Sequence, residues 1–134
     1  MPEEFAGQEP MNLMKTMLIV DDVAVSRTVI DIMVSDLDVI VIDEAASGKE
    51  AVEKYKEYGP DIVVMDIVMN DMNGIEALKE IISHDPNATV VLISSLGEQS
   101  YHIKEAMEAG AKAILGKPIE KAKFVEVIAK LLEQ

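Results

Sequence analysis

From residue 15 onward the chain alternates between two textures: short unbroken apolar runs, and longer segments in which apolar residues recur every three or four positions. The runs 17–20, 39–42, 62–65, 90–93 and 113–115 show no period-two alternation. They predict strands buried on both faces. The segments between them predict amphipathic helices, with stripes at Val25, Val29, Ile32 and Met33 in the first, Ala51, Val52 and Tyr55 in the second, and Ile75, Leu78, Ile81 and Ile82 in the third. Five strands and five helices in strict alternation predict βαβ units and a parallel sheet covered on both sides.

Local punctuation supports these elements. Ser47 followed by Glu50 reads as a capping box opening the second helix, and Gly59–Pro60 closes it. Asn73 with Glu76 opens the third helix, and Asp85–Pro86 ends it. Gly110 suits the stop of the fourth helix, and Pro118 suits the first turn of the fifth.

Composition narrows the class. With 134 residues, 49% of them hydrophobic, the chain carries one domain with a real core, read as 12–134 after a disordered tail or cloning remnant at 1–11. The net charge of −13, from 25 acids against 12 bases, argues against direct binding of nucleic acid and leaves room for a cation. Without cysteine there are no disulfides or thiolate metal sites. No run reaches the length of a membrane span and the first ten residues lack a signal-peptide pattern, so a cytoplasmic, membrane-free protein is expected, and it is taken as a monomer.

Polar residues collect at one place in this pattern. The first strand runs into Asp21–Asp22, the third into Asp66, the fourth into Ser94–Ser95, and the fifth is followed by Gly116–Lys117–Pro118. Carboxyl ends of parallel strands share one edge, where such sheets bind ligands. Three carboxylates gathered there repel, so one protonates or a cation sits among them; hard oxygen ligands and a small site suit Mg²⁺. A lysine, a hydroxyl and a nucleophilic carboxylate complete the inventory that phosphoryl transfer needs. Taken singly, Asp21–Asp22 is a helix cap, Asp66 a turn residue, Ser94–Ser95 a strand-end turn and Lys117 a surface charge. Their joint occurrence favours a site.

The constellation "VDD" at 20–22, "MDIVM" at 65–69, "ISSLG" at 93–97 and "GKP" at 116–118 resembles the CheY-like receiver domains of two-component response regulators, over nearly the whole chain after the tail. The resemblance implies a doubly wound (βα)5 flavodoxin-like three-layer sandwich with a five-stranded parallel sheet of order 2-1-3-4-5. It further implies that Asp66 accepts a phosphoryl group from a histidine kinase. Asp22 would hold Mg²⁺ directly, Asp21 mainly through water and Val68 through its backbone carbonyl, with Mn²⁺ able to substitute. Ser94 would donate its hydroxyl to the phosphoryl group, Lys117 would pair with it, and the Lys117–Pro118 bond would be cis. A downstream protein would bind the face made by the fourth helix, fifth strand and fifth helix.

Departures from the family carry information too. Asn70 stands where a proline is usual, and Ile114 where many members carry an aromatic switch that moves with Ser94. Val68 and Leu96 occupy positions that tune loss of the phosphoryl group; both are apolar and cannot orient water, so slow self-dephosphorylation is expected. "SSLGEQ" at 94–99 is similar to stand-alone chemotaxis members, with a receiver cut from a longer regulator as the alternative.

A rival reading is a Mg²⁺-dependent hydrolase of the haloacid dehalogenase type. It needs a second Asp two residues after the nucleophile, where Val68 stands. A degenerate receiver would have lost Asp66, Lys117 or the acidic pair, and all are present. Asp71, Asn73 and Glu80 lie at calcium-loop offsets, but Met69 occupies the place of the first ligand. His84 and His102 are expected to be exposed, the nine methionines to fill core, and Lys121, Lys123 and Lys130 to form a solvated face.

Overall fold

A computed structural model describes residues 14–95 and 100–134; the tail expected at 1–11 and the Leu96 position lie outside the described residues. The order is β1 (Lys15–Val20), α1 (Ala24–Met33), β2 (Val39–Ala45), α2 (Gly48–Tyr58), β3 (Ile62–Asp66), α3 (Gly74–His84), β4 (Val90–Ser94), α4 (Ser100–Ala109), β5 (Ala113–Gly116) and α5 (Lys121–Leu132). All four strand pairings are parallel, in the order β2-β1-β3-β4-β5. The α/β three-layer sandwich expected from the sequence is the one observed.

Alternate residues of each central strand enter different cores, which is why the runs show no period of two. Leu18, Val20, Val63, Met65, Val90 and Leu92 join the cluster under α2, α3 and α4. Met17, Ile19, Ile62, Val64, Val91 and Ile93 join the cluster under α1 and α5. Both faces of β3 and β4 are therefore buried at every position. Edge strand β2 has cover on one flank only, and Ile40 is 49% exposed.

The caps behave largely as predicted. Asn73 and Glu76 form a full reciprocal box at the start of α3, and Gly59 closes α2 at φ 56°. Ser47 accepts the Glu50 amide at 3.1 Å, but Glu50 reaches back to the Ala46 amide at 2.8 Å, so the second half of that box is displaced by one residue.

Three expectations are corrected. In α1, Val25, Val29 and Ile32 are exposed, and Ile30 and Val34 are the residues buried against Phe124 and the sheet. The apolar arc of that helix, from Ile32 and Val25 through Val29 and Met33 to Ile30, is wider than the side the sheet covers, so burial falls on its Ile30 edge and leaves Val25, Val29 and Ile32 outside. Pro118 lies outside α5, which starts only at Lys121. His84 is exposed as expected, whereas His102 is half-buried.

Gly74 shows how tightly α3 meets the end of β3. A Cβ there would overlap the Asp66 carbonyl oxygen and lie 2.8 Å from the Ile67 Cα. Because backbone atoms cannot swing aside, Gly74→Ala should destabilise the protein by about 1–3 kcal/mol, read as a lower urea midpoint.

Candidate functional site

The register of the sheet assembles the polar residues. Val20 pairs with Met65, which sets Asp21 beside Asp66; Asp66 pairs with Ile93, and Ser94 with Gly116, one residue before Lys117. Backbone bonds carry the ladder past the strand ends, from Asp21 N–H to the Ala45 carbonyl at 3.0 Å, Ile67 N–H to Ile93 at 2.9 Å and Lys117 N–H to Ser94 at 2.9 Å. The site residues are thus held by sheet geometry rather than by free loops.

Carboxylate oxygens of Asp21, Asp22 and Asp66 all lie within 4.8 Å of one another. Asp21 and Asp66 are only 2% and 5% exposed, and Asp22 is half-buried. At an effective dielectric of about 20, two like charges 4.8 Å apart repel by about 3 kcal/mol. Among the described residues one cation answers this: Lys117 Nζ is 2.9 Å from Asp66 Oδ2 and 3.6 Å from Asp21 Oδ2. One ammonium against three carboxylates leaves the cluster short of positive charge.

Titration reflects that imbalance. Burial pushes the Asp21 carboxyl up; the Val23 amide, at 2.9 Å, and Lys117 pull it down, but the charges of Asp66 and Asp22 push with burial, and the net is a raised pKa. Burial pulls the Lys117 ammonium down, and the hydrogen bond and charge of Asp66 outweigh it, leaving that pKa raised. A compact set of hard oxygen donors, crowded and under-neutralised, fits a small divalent cation such as Mg²⁺.

The remaining predicted residues divide. Ser94 is buried at the end of β4, on the same carboxyl edge of the sheet. Val68 donates its amide to Asp66 Oδ1 at 3.3 Å and leaves its side chain 46% exposed. Ile114 is half-buried and packs against the core under α2, α3 and α4. The Lys117–Pro118 bond is cis. An apolar groove of about 310 Å³ starts at Asp21 and Lys117 and runs between Val25 and Val29 of α1 and Pro118–Ile119.

Sequence reasoning missed Arg27. Its Nη1 donates to the Asp21 carbonyl at 2.6 Å and its Nε to Glu44 Oε1 at 2.7 Å, tying the acidic turn to the end of β2. The available signal was that Arg27 is the only arginine in the chain. Asp71 was weighed as a calcium ligand and not as a tie between elements; it binds the amides of Gly48 and Lys49.

The raised pKa of Asp21 has a stability consequence. Its folded value lies above the ordinary 3.8, so the linked stability is complete below that pH and is lost as pH rises through the folded value. In metal-free buffer at neutral pH, Asp21→Asn should raise the urea midpoint with an unchanged m-value, because the amide keeps the Val23 contact and sheds the charge.

Comparison with known proteins agrees with this geometry. The model of the response regulator receiver domain matches residues 17–129. The chain is 47% identical over 117 residues to the chemotaxis protein CheY of Thermotoga maritima, covering 87% of this chain and 97% of that one. It is 47% identical over 116 residues to CheY of Bacillus subtilis, covering 86% and 95%. Among solved structures, a chain of the CheX–CheY–BeF3–Mg²⁺ complex from Borrelia burgdorferi superposes with a TM-score of 0.83 at 36% identity, covering 87% of this chain and 88% of that one. The fold, the crowded acidic edge and these matches together place the chain in the family of response regulator receiver domains.

Proposed function

We propose that this receiver is a phosphorylation-activated signalling switch that takes a phosphoryl group on Asp66 from the phosphohistidine of a histidine kinase, in a Mg²⁺-dependent reaction, and thereby changes its affinity for a downstream protein. The observation that carries the reading is the Lys117 ammonium 2.9 Å from a buried Asp66 carboxylate, with Asp21 and Asp22 alongside. The curated relatives named as chemotaxis proteins place the switch in chemotaxis or motility control. It acts on itself, not on a separate substrate.

In the transfer, an Asp66 carboxylate oxygen attacks phosphorus, the P–O bond forms, the P–N bond breaks, and its electron pair returns to the imidazole nitrogen. Lys117 meets the charge on the phosphoryl oxygens, and the Ser94 hydroxyl donates to one of them. Asp22 would hold Mg²⁺ directly, Asp21 through water and Val68 through its carbonyl; when bound, the ion supplies further neutralisation of phosphoryl oxygens. The exposed apolar residues of α1 border the groove that opens at Asp21 and Lys117, which supports approach of the phosphodonor along that helix.

Acceptance adds about −1.5 to −2 charge where Lys117 now binds Asp66, so that pair must be remade, with Ser94 moving toward the new group first. Ile114, aliphatic and half-buried, has no ring to swing. The output change therefore runs through displacement of the strand ends toward the α4–β5–α5 face, where Lys121, Lys123 and Lys130 are exposed. The hydrolase alternative is disfavoured by the family match and by Val68, exposed where a general acid would stand.

Incubation with acetyl phosphate and Mg²⁺ should add one phosphoryl group by intact mass, and Asp66→Asn or removal of the metal should abolish it. An unmodified parent chain would overturn the switch. The phosphorylated form should persist for minutes rather than seconds, and Val68→Asn, which offers water a hydrogen-bond partner, should speed its decay by about tenfold. Decay of the parent within seconds contradicts the role given to Val68.

A further inference from the structure

The segment 67–73 leaves the end of β3 and returns at the start of α3, carrying Val68 beside the Asp66 carboxylate. Asn70 gives it none of the stiffness a proline would. Its ends are held by backbone: Ile67 N–H donates to the Ile93 carbonyl at 2.9 Å, and Gly74 N–H to the Ile67 carbonyl at 2.6 Å. Its middle is held by a side chain.

One carboxylate oxygen of Asp71 accepts the Gly48 amide at 3.0 Å, and the other accepts the Lys49 amide at 3.1 Å. These are the first two amides of α2, which have no carbonyl partner inside their own helix. A carboxylate there also meets the positive end of the helix dipole. The third amide, that of Glu50, goes to Ser47 Oγ at 3.1 Å. The approach is close as well as polar: a Cβ on Gly48 would lie 2.9 Å from both the Cβ and the carbonyl oxygen of Met72. Burial pushes the Asp71 carboxyl up, the Lys49 and Gly48 amides pull it down further, and the net is a pKa below the ordinary carboxylate value, so the group stays charged at neutral pH.

We propose that Asp71 is a positioning residue for phosphoryl acceptance: by binding the first two amides of α2 it fixes the 67–73 segment so that the Val68 amide stays on the Asp66 carboxylate. The inference rests on the reading of Asp66 as phosphoacceptor. It assigns the stiffening that a proline at position 70 would give to a carboxylate that joins the 67–73 loop to the start of α2. It also makes the start of α2 a structural part of the acceptor loop.

The competing role for Asp71 is a plain cap of α2, and Ser47 provides the matched control. Ser47→Ala removes a cap from the same helix without touching the loop. Asp71→Ala removes both bonds, whereas Asp71→Asn keeps the shape but has one acceptor oxygen instead of two. Initial rates of phosphorylation would be measured on the full chain by intact mass, over a range of acetyl phosphate at saturating Mg²⁺, with urea midpoints for every variant. Asp71→Ala should lower the maximal rate about tenfold, short of the ~100-fold that a 1 Å misplacement costs, with Asp71→Asn between it and the parent and Ser47→Ala within about twofold of the parent.

Amide hydrogen exchange at Val68 should quicken in the Asp71 variants and stay unchanged in Ser47→Ala. Parent-like rates in Asp71→Ala, or an equal loss in Ser47→Ala at matched stability, would overturn the inference and leave the phosphoacceptor reading standing. Should Asp71→Ala fail to fold, Asp71→Asn decides by the same two readouts. A parent chain that takes no phosphoryl group would instead remove the reading of Asp66, and this inference with it.

Discussion

Three carboxylates crowded against one ammonium form the constraint on which the rest of this molecule turns. Asp21 and Asp66 are buried, Lys117 reaches both, and the Lys117–Asp66 bond closes across 51 residues of sequence. A charge cluster of this kind is costly in a folded protein and persists only when surrounding structure over-determines it. Here the over-determination comes from the sheet. Because β3 and β4 are covered on both faces, polar side chains can leave them only at the strand ends, and parallel pairing brings those ends to one edge.

Around that cluster the chain places holding devices. Arg27 ties the acidic turn to Glu44 on β2, the amide of Val68 rests on Asp66, and Gly74 lets α3 begin against the carbonyl of Asp66. Asp71 joins the same loop to the amides of α2. Each contact is worth little alone, but together they leave the Asp66 carboxylate with few ways to move. In the proposed switch, phosphorylation of Asp66 would act on a taut arrangement, in which the Lys117 contact is the part whose partner changes charge.

Much of this was legible in the sequence, and the reasons differ by element. Strands were plain because runs such as Ile62–Asp66 are apolar at consecutive positions up to their last residue, and the carboxylate that ends the run marked the site. The caps at Asn73 and Gly59 were plain because their chemistry is local. The first helix was misread since periodicity does not say which edge of a wide apolar arc meets the sheet; only packing against Phe124 and the sheet selects Ile30 and Val34. Arg27 and Asp71 were missed for a related reason. Their partners, Glu44 and the amides of Gly48 and Lys49, lie 17, 23 and 22 residues away, and no spacing rule connects a side chain to a group on another element.

The account stands on Asp66 being the residue that carries the phosphoryl group, and chemical trapping addresses that directly. An acyl phosphate is reduced by borohydride to the alcohol, so treating the phosphorylated protein with borohydride and sequencing its peptides by mass spectrometry converts the acceptor position to homoserine. The account predicts homoserine at position 66 and at no other aspartate, with none formed when acetyl phosphate is omitted. Homoserine at position 21 or 22, or a phosphoryl group that survives borohydride on Ser94 or a histidine, would contradict it.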